Sequence, residues 1–271
     1  MVNKQSIKTF IAKFYVLFIL LLMYAPILVL AVYSFTVSDQ LGVWSGFSFQ
    51  LYVDLVENKP LMSAVKNTVL IALVSAFCST ILGTIGAIGV YYSKKGYKKA
   101  VETMTQLPVV NAEIVMALSL AVLFKALDAK YSFGTLLIGH LVLTVAFVYL
   151  NVKPKLAQMD PNIYEAALDL GSTPWYALFK VVLPEILPGI FSGFLISMTL
   201  SLDDFVITQY LKEHSFETIS TYIQKIVAKH PIPAEVRALS TIIFVVVLAV
   251  VVGITVYNNK KAAKVIKYRR R

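Results

Sequence analysis

The 271-residue sequence predicts an all-α polytopic membrane protein. Composition sets the class: 58% of residues are hydrophobic, only 15% are charged, and mean hydropathy is +0.74, unlike a soluble domain of this length. The apolar residues gather in runs of about 20, the length that spans a hydrocarbon core of about 30 Å. The cations gather in alternate connecting segments, as membrane orientation requires.

Six runs are predicted as transmembrane helices, at 14–35, 62–92, 107–124, 134–150, 187–211 and 239–257, within one domain covering 1–271. The first follows Lys4, Lys8 and Lys13 but has too long an apolar core for a signal peptide and no small-residue cleavage site, so it reads as a retained anchor. Pro26 is expected to kink it. The second is long enough to begin outside the bilayer, and Ser75, Ser79 and Gly83 give it a small-residue face suited to close helix packing. The third ends near Lys125, which can snorkel, and the fourth is the shortest and carries His140, read as an ordinary polar residue. The fifth holds the pair Asp203 and Asp204, and the sixth precedes a basic tail.

With six spans both termini share one side. Of the 25 Lys and Arg residues, 17 fall in the N-terminal segment, the loops holding Lys94–Lys99 and Lys153–Lys180, and the tail from Lys260 to Arg271. Both termini are therefore expected in the cytoplasm of a multi-pass cell-membrane protein. The net charge of +10 is explained by attraction to anionic lipid headgroups at membrane exits, and no nucleic-acid role is expected. A single cysteine, Cys78, excludes an intramolecular disulfide. The chain has no phosphate-binding GxxxxGK[ST] loop, HExxH or CxxC pair, so no cofactor, metal or ATP site is expected in it. Nor does it hold an acid-base or nucleophile cluster, so it reads as a non-enzyme whose ATP, if any, is hydrolysed by a partner.

The connection 151–186 is polar and reads as two short helices. Asp160 suits an N-cap and Pro161 a first helical turn, Glu165 lies near the positive end of the helix dipole, and Gly171 stops the helix. Ser172 or Thr173 caps the second helix, Pro174 opens it, and Trp175, Leu178, Phe179 and Val182 supply an apolar face. Pro184 and Pro188 are expected to end or kink it. Held between two spans, a helix pair of this kind suits a protein interface better than DNA binding.

The segment Glu165-Ala166-Ala167, three residues, Gly171, nine residues, then Val181-Val182-Leu183-Pro184 resembles the EAA loop of ABC-importer permeases. Val181 in place of Ile is its one departure. The resemblance narrows to the spermidine/putrescine permease subgroup through Tyr24-Ala25-Pro26 to Ser34-Phe35, Glu113–Ala117, Ser201–Val206 and Pro233–Thr241. In that subgroup Arg237 stands where an uncharged Asn is expected, and Glu213–Tyr222 lacks the usual Gly and Leu-Pro landmarks. The resemblance implies a type I ABC importer permease fold, similar to that of the methionine importer, with a cytoplasmic coupling helix pair. It implies that Glu165, Ala166, Ala167, Gly171, Leu183 and Pro184 form the coupling element. Glu165 would be the polar contact to a cytoplasmic ATPase dimer and Gly171 the turn. It further implies a second homologous permease subunit, an extracytoplasmic polyamine-binding protein and a polyamine substrate.

Physical argument adds a candidate pathway. A charged side chain inside a bilayer costs about 2.5–3.5 kcal/mol on insertion scales, so adjacent aspartates need a wet cavity or a partner. At ~1.5 Å per residue, Asp203 lies about 22 Å along the fifth span from Pro188. Ser197, Ser201, Asp204 and Thr208 recur at four-, three- and four-residue spacing with Gly193 below them, which predicts one polar stripe. On that pattern Asp204 lines the pathway and Asp203 lies at its edge or at a subunit contact, with Glu113 a further candidate near the cytoplasmic end of the third span. Acceptors so spaced suit separated ammonium groups. Ile219, Tyr222, Ile223, Ile226 and Val227 predict a short amphipathic helix outside the membrane. That segment and the acids Asp39, Asp54 and Glu57 are expected to receive the binding protein. The alternatives are a permease for ferric iron, sulfate, thiamine or a phosphonate and, behind these, a secondary transporter independent of any ATPase.

Overall fold

The computed structural model describes residues 4–38, 40, 42–228, 233–249 and 252–253. Among them the chain is helical, with one isolated antiparallel bridge, Thr36 to Phe47. Among the described residues four helices are long and apolar enough to cross a membrane, and a bent pair would make a fifth. The chain divides into two compact units, residues 1–62 with 229–271 and residues 63–228.

In the first unit α1 runs from Lys4 to Tyr33 with Pro26 inside it. A short connection follows, in which Phe35 meets Phe47, Phe49 and Tyr52 at ring-centroid distances of 5.5, 5.6 and 5.3 Å. Next comes α2 (Gln50–Glu57). The predicted sixth span is helical over 235–249 and at 252–253, and its remainder lies outside the described residues, as does Asp39. Arg237, near the start of that helix, is buried and donates to the carbonyls of Tyr33 at 3.4 Å and Ser38 at 2.9 Å. A buried guanidinium needs several acceptors, and backbone carbonyls supply them here.

In the second unit α3 (Lys59–Tyr91), which starts just before the boundary, and α6 (Phe133–Gln158) are long and continuous. The predicted fourth span therefore extends past residue 150: Lys153 and Lys155 continue the helix, and Lys153 pairs with Glu102 at 3.0 Å. The third run is not one helix. α4 (Lys95–Val110) and α5 (Glu113–Ala126) meet at a 104° bend, with Asn111 and Ala112 extended between them. The fifth is also interrupted: α9 (Leu183–Asp203) stops at the aspartate pair, and α10 (Val206–Leu211) follows. A capped helix, α11 (Ile219–Val227), lies where the amphipathic pattern predicts it.

The elements pack closely because small residues stand where helices meet. Val148 of α6 sits between Gly83 of α3 and Gly193 of α9: a Cβ at Gly83 would lie 2.7 Å from Val148 Cβ, and one at Gly193 would lie 3.2 Å from its Cα. The small-residue face predicted for the second span does bring two backbones together here, and Ser75 and Ser79 also bond across it (below). Gly83→Leu should cost about 1–3 kcal/mol by overpacking. Gly86→Leu, on the same helix with open space around it, should leave the melting temperature of the detergent-solubilised protein unchanged. Equal melting of the two variants would contradict this packing.

Candidate functional site

The 163–183 segment is built as a corner between short helices. α7 (Ile163–Asp169) begins two residues later than Pro161 suggests. The reason is that Asp160 turns the chain first, its Oδ1 accepting from Asn162 N at 2.9 Å and its carbonyl from Ile163 N. Gly171 takes φ +85°, a left-handed conformation that favours glycine, and ends the helix: Gly171 N donates to Leu168 O and Ser172 N to Ala167 O. Thr173 Oγ1 then accepts from Tyr176 N, and α8 (Pro174–Ala177) starts with its proline at the first position.

Pro184 and Pro188 do not end the second helix. A π-helical turn, Leu178–Val182, joins α8 to α9, and Leu183 N donates five residues back to Leu178 O. The wider turn accommodates Pro184, whose ring would otherwise strike the carbonyl four residues before it. The chain is thus helical without interruption from Pro174 to Asp203. The second short helix and the predicted fifth span are thus one continuous helix as far as Asp203.

That corner is anchored from inside and open outside. Val182, Ile186 and Met159 join Ala87, Val90, Val152 and Leu156 in one buried cluster, against which Ile163, Tyr164, Leu178 and Leu183 pack. Tyr164 and Tyr92 lie 5.2 Å apart, and Ala167 is buried. Glu165, Ala166, Gly171 and Pro184 are exposed. So are large apolar side chains: Leu170 is 89% exposed and Trp175 71%, with Trp175 stacked on Phe179. An apolar groove of about 360 Å³ opens beside them, lined by Ile88, Tyr92, Tyr164, Pro174, Trp175 and Leu178.

The second candidate site is the break at the end of α9. The predicted polar stripe is brought together, but inside the fold: Ser197, Ser201, Asp204 and Thr208 are all buried. The helix does not run through Asp204. Its carboxylate instead accepts from Ile207 N (3.1 Å), Thr208 N (2.8 Å) and Thr208 Oγ1 (2.7 Å), capping α10. Aspartate competes with the helix for backbone N–H groups, so a break here is what its chemistry favours. Asp203, the last residue of α9, is exposed. It is therefore Asp203, and not Asp204, whose carboxylate stands free at this break. Ser197 Oγ is buried and has no hydrogen-bond partner among the described residues.

Glu113 opens α5 at the other break and is exposed. α5 packs on α10 through Met116, Ala117 and Phe124 against Ile207 and Leu211. This places Glu113 within electrostatic range of both aspartates. Glu113 thus opens one interrupted helix, and the aspartate pair stands at the end of the other. Sequence reasoning also missed the hub of the buried network. His140 is fully buried, with Ser201 Oγ 2.7 Å from Nδ1, Thr208 Oγ1 3.2 Å from Nε2 and Asp204 Oδ2 3.6 Å from Nε2. The one available signal was a histidine in an otherwise apolar run, which must find partners when buried.

Beyond α10, Glu217 ties α11 to α3. Its carbonyl accepts from Asn67 Nδ2, and Ile219 N donates to Thr68 Oγ1. Burial alone would raise the Glu217 carboxyl, but bonds from Lys212, Thr221 and Lys225 outweigh it and hold the group below its ordinary range. Among the described residues no three His, Cys, Asp or Glu side chains are grouped to hold a metal.

Comparison with known proteins agrees with this architecture. A family model described as "Binding-protein-dependent transport system inner membrane component" matches residues 5–263. The chain is 36% identical over 231 residues to the spermidine/putrescine transport system permease protein PotC of Haemophilus influenzae, covering 85% of this chain and 89% of that one. It is 35% identical over 232 residues to the putrescine transport system permease protein PotI of Escherichia coli K12, covering 82% and 81%. The crystal structure of a bacterial ABC transporter involved in the import of the acidic polysaccharide alginate aligns with a TM-score of 0.74 over 96% of this chain and 98% of that one, at 15% identity, so the two share a fold. With nearly its whole length matched, this chain belongs to the family of binding-protein-dependent transport system inner membrane components.

Proposed function

We propose that this chain is a membrane permease subunit of an ATP-driven importer of polyamines such as spermidine or putrescine. It would form half of the pathway beside a second homologous permease, receive substrate from an extracytoplasmic polyamine-binding protein, and draw energy from a cytoplasmic ATPase dimer. The six apolar runs would be its spans, and the distribution of Lys and Arg supports cytoplasmic termini, an orientation that would put the 163–183 corner on the ATPase side. The exposed Glu165, Leu170 and Trp175 would seat in the ATPase. ATP binding would then move α8 and α9 as one lever, and hydrolysis would reset it.

The observation that carries the polyamine reading is the break at Asp203. A helix C-terminus bears about half a negative charge on its free carbonyls. Here that end also presents an exposed carboxylate, with Glu113 in electrostatic range. Separated ammonium groups match such acceptors, whereas an anionic solute would be repelled. The relatives named above carry polyamines in their own names. Pathway contact accordingly falls to Asp203 and Glu113, with Ser197, Ser201, Thr208 and Asp204 supporting them from within.

The test is uptake of labelled spermidine by proteoliposomes holding the complete complex. Asp203→Asn and Glu113→Gln should each reduce uptake at low spermidine about tenfold, the loss of one charge-assisted contact. Uptake that persists without the ATPase would point to a secondary transporter. Uptake indifferent to both variants would remove the proposed pathway.

A further inference from the structure

One buried side chain bridges both sides of the break in the fifth helix. His140 of α6 meets Ser201, two residues before the end of α9, through Nδ1, and Thr208 and Asp204 of the α10 region through Nε2. The direction of the bond at Nε2 can be assigned from its far end. Ser75 Oγ lies 2.8 Å from Ser201 Oγ and 3.2 Å from the Ala72 carbonyl oxygen, and its single hydrogen serves one of them at a time. Thr208 Oγ1 donates to Asp204 Oδ2, so it accepts from His140 Nε2–H. The imidazole therefore carries a proton at Nε2, within a chain running Ser75, Ser201, His140, Thr208, Asp204. Its backbone is held as well, since Thr144 Oγ1 donates to the His140 carbonyl and meets Ser79 Oγ of α3.

Nothing else described in this network bonds to both α9 and α10. The intervening residues Asp204 and Phe205 have left the helix, so no backbone ladder sets the angle between the two segments. Asp203 sits at that joint, two residues after Ser201 and one before Asp204. We propose that His140 is a positioning residue that fixes this joint and thereby aims the Asp203 carboxylate at the substrate, although it touches no substrate itself. The proposal rests on the reading of Asp203 as a pathway residue.

Two substitutions separate the halves of the clamp. The amide of His140→Asn reaches the Nδ1 position and can keep Ser201, while that of His140→Gln reaches the Nε2 position and can keep Thr208. Each holds one side of the joint only. Spermidine uptake by the complete complex, measured on equal amounts of assembled complex, should show a KM raised about tenfold for both variants with kcat little changed. If His140 acts by aiming Asp203, the His140→Gln effect should disappear in an Asp203→Asn background.

Three results would overturn the proposal. A native KM for both assembled variants would show that the clamp does not matter. Additive effects of His140→Gln and Asp203→Asn would show that His140 acts elsewhere. A native KM for Asp203→Asn alone would remove the pathway role of Asp203 and the proposal with it. Only this last result also counts against the proposed substrate site, so the two failures are distinguishable.

Discussion

Trp175→Asp should release the ATPase while leaving this chain folded. The side chain is 71% exposed, stacked on Phe179 at the edge of an open groove, so its removal from the isolated chain should shift stability within about 0.5 kcal/mol. In the proposed complex the same ring becomes a desolvated anchor beside Leu170, which is 89% exposed. Anchors of this type commonly carry 2 kcal/mol or more, about 30-fold in affinity, and a carboxylate placed on an apolar contact adds a desolvation penalty. Glu165→Ala should weaken binding less, because its contact lies at the edge of the corner and is screened. Binding of purified ATPase to nanodisc-held protein checks this, alongside melting of the same samples. Native ATPase affinity in Trp175→Asp would mean that the corner is not the docking surface.

Asp204→Ala should cost stability, whereas Asp203→Ala should not. Loss of the Asp204 carboxylate strips the bonds to Ile207 N, Thr208 N and Thr208 Oγ1 at a buried position. A lost cap together with buried unsatisfied donors amounts to about 2–4 kcal/mol. Asp204→Asn keeps a capping oxygen and should recover most of that loss. Asp203 is exposed, and its substitution should affect transport and not folding. Chemical denaturation of the four proteins, set beside their uptake rates, separates the two roles. Equal destabilisation by both alanines would contradict the assignment of Asp204 to the fold and Asp203 to the pathway.

These adjacent aspartates show where sequence reasoning reaches and where it stops. Residue spacing found the stripe Ser197, Ser201, Asp204, Thr208, and the structure gathers those residues. Spacing counted straight through Asp204 as though the helix continued, however, and so did not foresee that Asp204 turns inward while Asp203 is exposed. Periodicity describes helices that persist, while Asp204 uses its side chain to end one and start another. The bend at Asn111–Ala112 escaped for a related reason, since a hydropathy window averages across two extended residues. Pro184 misled in the opposite direction, because a π-helical turn absorbed it. The corner at Gly171 was legible in detail, since glycine at positive φ, Thr173 as cap and Pro174 at the first position act locally. His140 was not, because its partners lie on two other helices and in the break between them.

Joining the corner to the break is the central claim: α8 and α9 form one continuous lever between an ATPase and a cation-binding carboxylate. The most direct measurement is ATP hydrolysis by the reconstituted complex with its binding protein, with and without spermidine. The account predicts stimulation by spermidine that Trp175→Asp abolishes and Asp203→Asn weakens. Hydrolysis that is unresponsive to spermidine, or stimulation unchanged in both variants, would contradict it.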